Sequence, residues 1–148
     1  MFGHRSVEDM KLQKVLIPVD DSPYMSELVK EAVVFAKKTG CTLTFLYVMN
    51  TPMGASLARA AREIEEQKLA CSKIPDGCRQ KSAAEGVFAS SRVEVGSPAE
   101  TIISIAERER FDMIIIGSRG HSRLKTLLVG SVADQVMEHA PCPVLLLK

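Results

Sequence analysis

The chain has 148 residues, of which 46% are hydrophobic and 25% charged, the length and composition of one soluble domain able to bury a layered core. Its formal net charge of +1 gives no global field to hold nucleic acid or an anionic membrane, so any anion must be gripped locally. No apolar run reaches membrane-spanning length, and the polar stretch 1–13 lacks the apolar centre of a signal peptide. These features point to a cytoplasmic protein with a tail over 1–13 and one domain over 14–148.

The first apolar run, Lys14-Val15-Leu16-Ile17-Pro18-Val19, closes at Asp20-Asp21-Ser22-Pro23 and predicts a strand buried on both faces. Ser22 is placed to cap a helix, with Pro23 at its first position, where a missing N–H costs nothing. Met25, Leu28, Val29, Ala32, Val33 and Ala36 follow at helical spacing, and Gly40 ends the helix.

Thr42 to Val48 predicts the second strand from its aromatic and β-branched residues. A helical pattern runs from about Ala55 to Ala70, a break is expected at Pro75-Asp76-Gly77, and a shorter helical piece continues to Ala84. Val87 to Val95 predicts a third strand, ending at Gly96. Ser97-Pro98-Ala99-Glu100 has the spacing of a capping box with proline at the first helical position. In the helix that follows, Ile102, Ile103, Ala106 and the stem of Arg110 are expected to cover the sheet.

Met113 to Ile116 predicts a fourth strand, followed by a loop from Gly117 to Gly130. A helix starting near Ser131 carries Val132, Ala133, Val136, Met137 and Ala140, and Pro143 to Leu147 predicts a fifth strand. Alternating strands and helices imply an α/β fold in three layers, a parallel sheet with helices on both faces. In such open sheets ligands sit beyond the carboxyl ends of strands where the strand order reverses. For an order of 3-2-1-4-5 the reversal lies between strands one and four, which end at Asp20 and Gly117. Asp20 is therefore expected to contact ligand rather than merely close a turn, while Asp21 is assigned to solvent.

The loop after the fourth strand reads G-x-x-G-x9-G-S, with Gly117, Gly120, Gly130 and Ser131 as its fixed points. Gly117 and Gly120 let the backbone approach a ligand closely. Gly130 and Ser131 stand at a helix N-terminus, where amide N–H groups and about half a positive charge face an anion. The Ser131 hydroxyl can add a bond to phosphate or to Mg²⁺. Arg119, His121, Arg123 and Lys125 make the loop locally basic, and for any one of them a solvated face is as good a reading as a phosphate contact. Nothing in the sequence orients His121 as a general base. His4 falls in the tail, and His139 near a helix C-terminus suits the helix dipole.

This pattern, together with the Lys14-to-Ser22 segment and the terminal Pro143 to Leu147, resembles the ATP-binding branch of the universal stress protein family over nearly the whole chain. The resemblance implies a five-stranded parallel sheet in the order 3-2-1-4-5, similar to that of the adenine nucleotide alpha hydrolases. It also implies that Pro18, Val19, Asp20 and Val48 line the adenine and ribose side, and that Gly117, Gly120, Gly130, Ser131 and Val132 hold ribose and phosphates. ATP, with Mg²⁺, is the implied ligand, and a homodimer through the C-terminal edge strand the implied assembly. A nucleotide-binding stress or signalling module is the leading function, ahead of a slow ATP hydrolase and a dimeric interaction protein with an empty site. The interrupted middle, Ser72 to Cys78, is the departure from the family pattern.

Other phosphate binders leave different marks. Lys125-Thr126 lacks the preceding glycine of a P-loop, and no G-x-G-x-x-G follows the first strand. The Ser-Gly-Gly-x-Asp-Ser signature of ATP pyrophosphatases is replaced by Asp20-Asp21-Ser22-Pro23. The four cysteines, Cys41, Cys71, Cys78 and Cys142, lack metal-site spacing and read as reduced, mostly buried thiols, with a Cys71–Cys78 disulfide left open.

Overall fold

The computed structural model describes residues 11–51, 57–118 and 129–148. Five strands are present: β1 (Lys14–Pro18), β2 (Thr42–Met49), β3 (Ala89–Val95), β4 (Met113–Gly117) and β5 (Val144–Leu147). The helices are α1 (Met25–Thr39), α2 (Leu57–Cys71), α3 (Lys73–Ala84), α4 (Pro98–Arg108) and α5 (Ser131–His139). All strand pairs are parallel and the sheet order is β3-β2-β1-β4-β5, as the resemblance implies. Among the described residues no helix is long and apolar enough to cross a membrane.

Strand alternation divides the core into two layers, because successive side chains point to opposite faces. Val15, Ile17, Leu43, Phe45 and Ile115 pack beneath Leu28, Val29, Ala32, Val33 and Ala36 of α1. Leu16, Leu46, Ile114 and Ile116 face the other way, onto Ile102, Ile105 and Ala106 of α4 and Ala133 and Val136 of α5. Phe45, Leu16 and Ile17 are fully buried, so truncating any one to alanine removes about 2–5 kcal/mol. At the amino end of the sheet the Asp112 carboxylate accepts from the Gln13 and Lys14 amides, at 3.0 and 2.9 Å, and clamps β1 to β4.

The helix boundaries correct several expectations. α1 begins at Met25 with Tyr24 as N-cap, and Ser22-Pro23 forms a turn ahead of it. The Asp20 carboxylate takes the Ser22 amide at 2.8 Å, so this local bond shapes the turn, while the Ser22 hydroxyl caps nothing and is buried without a partner. Gly40 does end α1, at φ +74, with its amide on the Ala36 carbonyl.

The break in the middle of the chain falls at Ser72 rather than at Pro75-Asp76-Gly77. Pro75 lies in the first turn of α3, where no intrahelical acceptor awaits its missing N–H, and its ring is fully buried. β3 starts two residues later than expected, at Ala89, with Phe88 exposed. α4 starts at Pro98 as the sequence indicates, with Ser97 as N-cap, yet no side-chain cap bond forms. Arg110 lies beyond α4 at φ +55 and is exposed, so Phe111 rather than the Arg110 stem closes that end of the core. All four cysteines are free thiols, which excludes the Cys71–Cys78 disulfide here. Cys41 and Cys78 are buried, Cys71 and Cys142 partly so.

Candidate functional site

A cavity of about 450 Å³ opens where β1, β2 and β4 end, at the reversal in strand order. Its size falls in the range of small-molecule sites. One wall comes from the chain leaving β1: Pro18, Val19, Asp20, Asp21 and Met25. β2 supplies Leu46, Tyr47 and Val48, with Asn50 just beyond its end. Pro98 and Ile102 of α4 face them. The remaining side is Ile116, Gly117 and Ser118 from the end of β4, with Gly130, Ser131, Val132 and Ala133 from the start of α5.

Of the residues singled out in sequence, Pro18, Val19, Asp20, Val48, Gly117, Gly130, Ser131 and Val132 meet around this one cavity. Gly120, together with Arg119, His121, Arg123 and Lys125 of the same loop and His4 of the tail, lies outside the described residues. Asp21, assigned to solvent, is exposed yet lines the cavity. His139 ends α5 as expected, with Glu138 beside it at 3.9 Å.

The cavity carries an acidic group and an electropositive one. On one side the Asp20 carboxylate has Oδ1 committed to the Ser22 amide, which fixes its orientation and leaves Oδ2 as acceptor. The Asp20 amide contacts the Met25 sulfur at 3.4 Å. On the other side, α5 presents the amides of Ser131, Val132 and Ala133, which have no intrahelical carbonyl to bond, together with the positive end of the helix dipole.

The Gly130 amide is different from the expectation: it donates to the Ser118 carbonyl at 2.9 Å and is not offered to a ligand. Gly130 holds φ −69 and ψ 159, an ordinary extended conformation, so no left-handed backbone requires glycine there.

Sequence reasoning missed Met25, Leu46, Tyr47, Asn50, Pro98, Ile102, Ile116, Ser118 and Ala133 as lining residues. The period of two along β2 would have given Leu46 and Asn50 from Val48, whereas Pro98 and Ile102 arrive from a helix distant in sequence. Burial pushes the Tyr47 phenol above its ordinary value, and the neighbouring Cys71, Asp21 and Asp20 add to the effect. The Tyr47 hydroxyl therefore stays neutral at physiological pH, hydrogen-bonded to Cys71.

A larger opening of about 560 Å³ runs between α2, α3 and β3. Several of its polar groups are paired with each other: Ser91 donates to Asp76, and Arg92 is held by Glu94 and Glu109. Burial works against the Arg92 charge, but those two carboxylates outweigh it and hold the guanidinium above its ordinary pKa. This opening lies away from the strand ends, and although Ser72, Pro75 and Asp76 from the start of α3 border it, the Asp76 carboxylate occupies that turn.

The sequence matches the universal stress protein family over residues 11–148. It is 33% identical over 144 residues to a universal stress protein of Methanocaldococcus jannaschii, covering 92% of this chain and 82% of that protein. Among solved structures, the universal stress protein UspA from Lactobacillus plantarum superposes with a TM-score of 0.81 at 24% identity, over 93% of this chain and 99% of the other. The universal stress protein from Archaeoglobus fulgidus in complex with dAMP gives a TM-score of 0.65 at 20% identity, over 94% and 100% of the two chains. With the family pattern matched across nearly its whole length and the same fold, the chain belongs to the universal stress protein family.

Proposed function

We propose that the cavity binds an adenine nucleotide, ATP with Mg²⁺, and that the chain serves as a nucleotide-binding stress or signalling module in the cytoplasm. One observation carries this reading: the Asp20 carboxylate, oriented by the Ser22 amide, and the helix N-terminus at Ser131–Ala133 line the same cavity. A nucleotide has complementary ends, sugar hydroxyls that donate to a carboxylate and phosphates that accept from amides. The complex of a family member with dAMP supports the adenine class.

In this reading Pro18, Val19, Asp20 and Val48 flank adenine and ribose. Gly117, Gly120, Ser131 and Val132 hold phosphate, while Gly130 keeps the backbone close through Ser118. Ser131 and the carboxylates of Asp20 and Asp21 are the oxygen donors Mg²⁺ prefers. The described residues contain no cluster of three or more ligating side chains, so the metal would arrive on the phosphates rather than sit in a protein cage. Bound, it would neutralise phosphate charge.

We further propose a homodimer through β5. Val144 to Leu147 are apolar, only half-buried, and form the edge of the sheet, which favours pairing with a second copy. Sedimentation at micromolar protein is expected to give the dimer mass, and a sharp monomer would overturn the assembly.

The binding reading itself is tested by crystals grown with MgATP. Density for a nucleotide is expected between Asp20 and residues 131–133. Only water there, with side chains filling the hollow, would contradict it. Steady phosphate release lost in Asp20→Ala would instead favour the slow hydrolase.

A further inference from the structure

The base end of the cavity has a wall whose order is set by the sheet. Leu46 and Val48 lie on the same face of β2, and Asn50 follows two residues on. All three line the cavity, with Pro98 and Ile102 of α4 opposite. The sequence of groups from floor to mouth is therefore isobutyl, isopropyl, carboxamide. A flat heterocycle seated against Val48 keeps one face on hydrocarbon and brings a polar edge to the mouth.

The position of Asn50 is held from behind. The preceding carbonyl, on Met49, accepts the Gly96 amide at 2.9 Å, which ties the end of β2 to the turn that starts α4. Pro98 follows two residues later, so the amide and the opposing wall are positioned by one connection.

We propose that Asn50 is a specificity-determining residue that reads the base, accepting from the adenine amino group and donating to the adjacent ring nitrogen N7. This rests on the nucleotide reading above. The chemistry is one of matching pairs: a carboxamide offers one acceptor and one donor, and adenine presents a donor at N6 beside an acceptor at N7. Guanine presents two acceptors, O6 and N7, on that edge, so one of them must oppose the carboxamide oxygen. Asp20 cannot do this work, since it is acceptor-only and lies at the end of β1.

The test is competition of ATP, 7-deaza-ATP and GTP against a fluorescent ATP analogue, on wild-type protein and on Asn50→Ala and Asn50→Gln. Wild type should favour ATP over both competitors by about tenfold, the scale of one such paired contact. Asn50→Ala should bring the three affinities together with an unchanged melting temperature, because Asn50 is exposed and outside the core. Asn50→Gln, which keeps the donor and acceptor, should retain part of the discrimination. Full discrimination in Asn50→Ala would overturn the role of Asn50 alone. Failure of wild type to bind any of the three would overturn the nucleotide reading and this inference with it.

Discussion

The Gly130 amide donates to the Ser118 carbonyl over 2.9 Å, and this bond ties the end of β4 to the N-cap of α5. It holds the two ends of the 119–129 segment together and aims the start of α5 at the cavity. A Cβ built on Gly130 would meet the Ser118 oxygen at 3.5 Å, ordinary van der Waals contact. Gly130→Ala should therefore cost less than about 1 kcal/mol of stability, since neither backbone nor neighbours must move. The same methyl intrudes where phosphate is proposed to lie, so nucleotide affinity should fall by about tenfold or more, with Gly130→Val worse. Parallel losses of stability and affinity in urea melts and calorimetry would show that glycine is structural there.

Asp20 is predicted to separate turn formation from ligand binding. Asp20→Asn keeps an acceptor for the Ser22 amide, so its stability should stay near wild type. Asp20→Ala removes that acceptor and should cost about 1 kcal/mol. Both should weaken nucleotide binding, because each loses the charged acceptor proposed for the ribose. Urea unfolding without nucleotide, beside titration with it, checks the two effects independently.

Gly96 has φ +156, and a Cβ there would stand 2.5 Å from Thr101 Oγ1. Gly96→Ala should destabilise the protein by about 1–3 kcal/mol, combining backbone strain with the contact. Adding Thr101→Ala relieves only the contact, so thermal melts of the double variant should remain below those of Thr101→Ala alone. Full recovery would assign the whole effect to the side chain.

Burial, with the charge of Asp112 behind it, pushes the Cys142 thiol up to about 11. In the unfolded chain a thiol ionises near about 8.5. Between these values the unfolded state loses its proton first, so the stability contributed by the neutral thiol is complete below the lower value and lost as pH rises toward the upper. Denaturation curves at pH 8, 9.5 and 10.5 should show this decline in wild type and a shallower one in Cys142→Ala. Identical slopes would remove Cys142 as the cause.

The strands were legible because a doubly buried strand needs a short continuous apolar run, and Val15 to Ile17 and Ile114 to Ile116 leave little else for such runs to be. Gly40 and Pro98 marked helix ends correctly, since each meets a local backbone demand. Ser22-Pro23 misled because the competing bond, from the Ser22 amide to Asp20, is equally local and moves the helix start to Met25. Pro75 misled because proline both breaks helices and opens them, and only the Ser72 turn decides which.

In the cavity, Asp20, Gly117, Gly130 and Ser131 were legible because they sit at a strand end or a helix start on either side of the reversal, whereas Val48 and Val132 came only from the family resemblance. Tyr47 was not, since its side chain packs on the face of the sheet opposite Val48. Pro98 and Ile102 depend on where α4 docks, which no local pattern states.

Isothermal titration of the wild-type protein with MgATP, ADP, AMP and GTP bears most directly on the central claim. The account predicts saturable binding of one adenine nucleotide per chain, weaker binding of GTP, and loss of affinity in Asp20→Ala. No heat of binding from any adenine nucleotide, with protein shown to be folded and free of bound nucleotide, would contradict it.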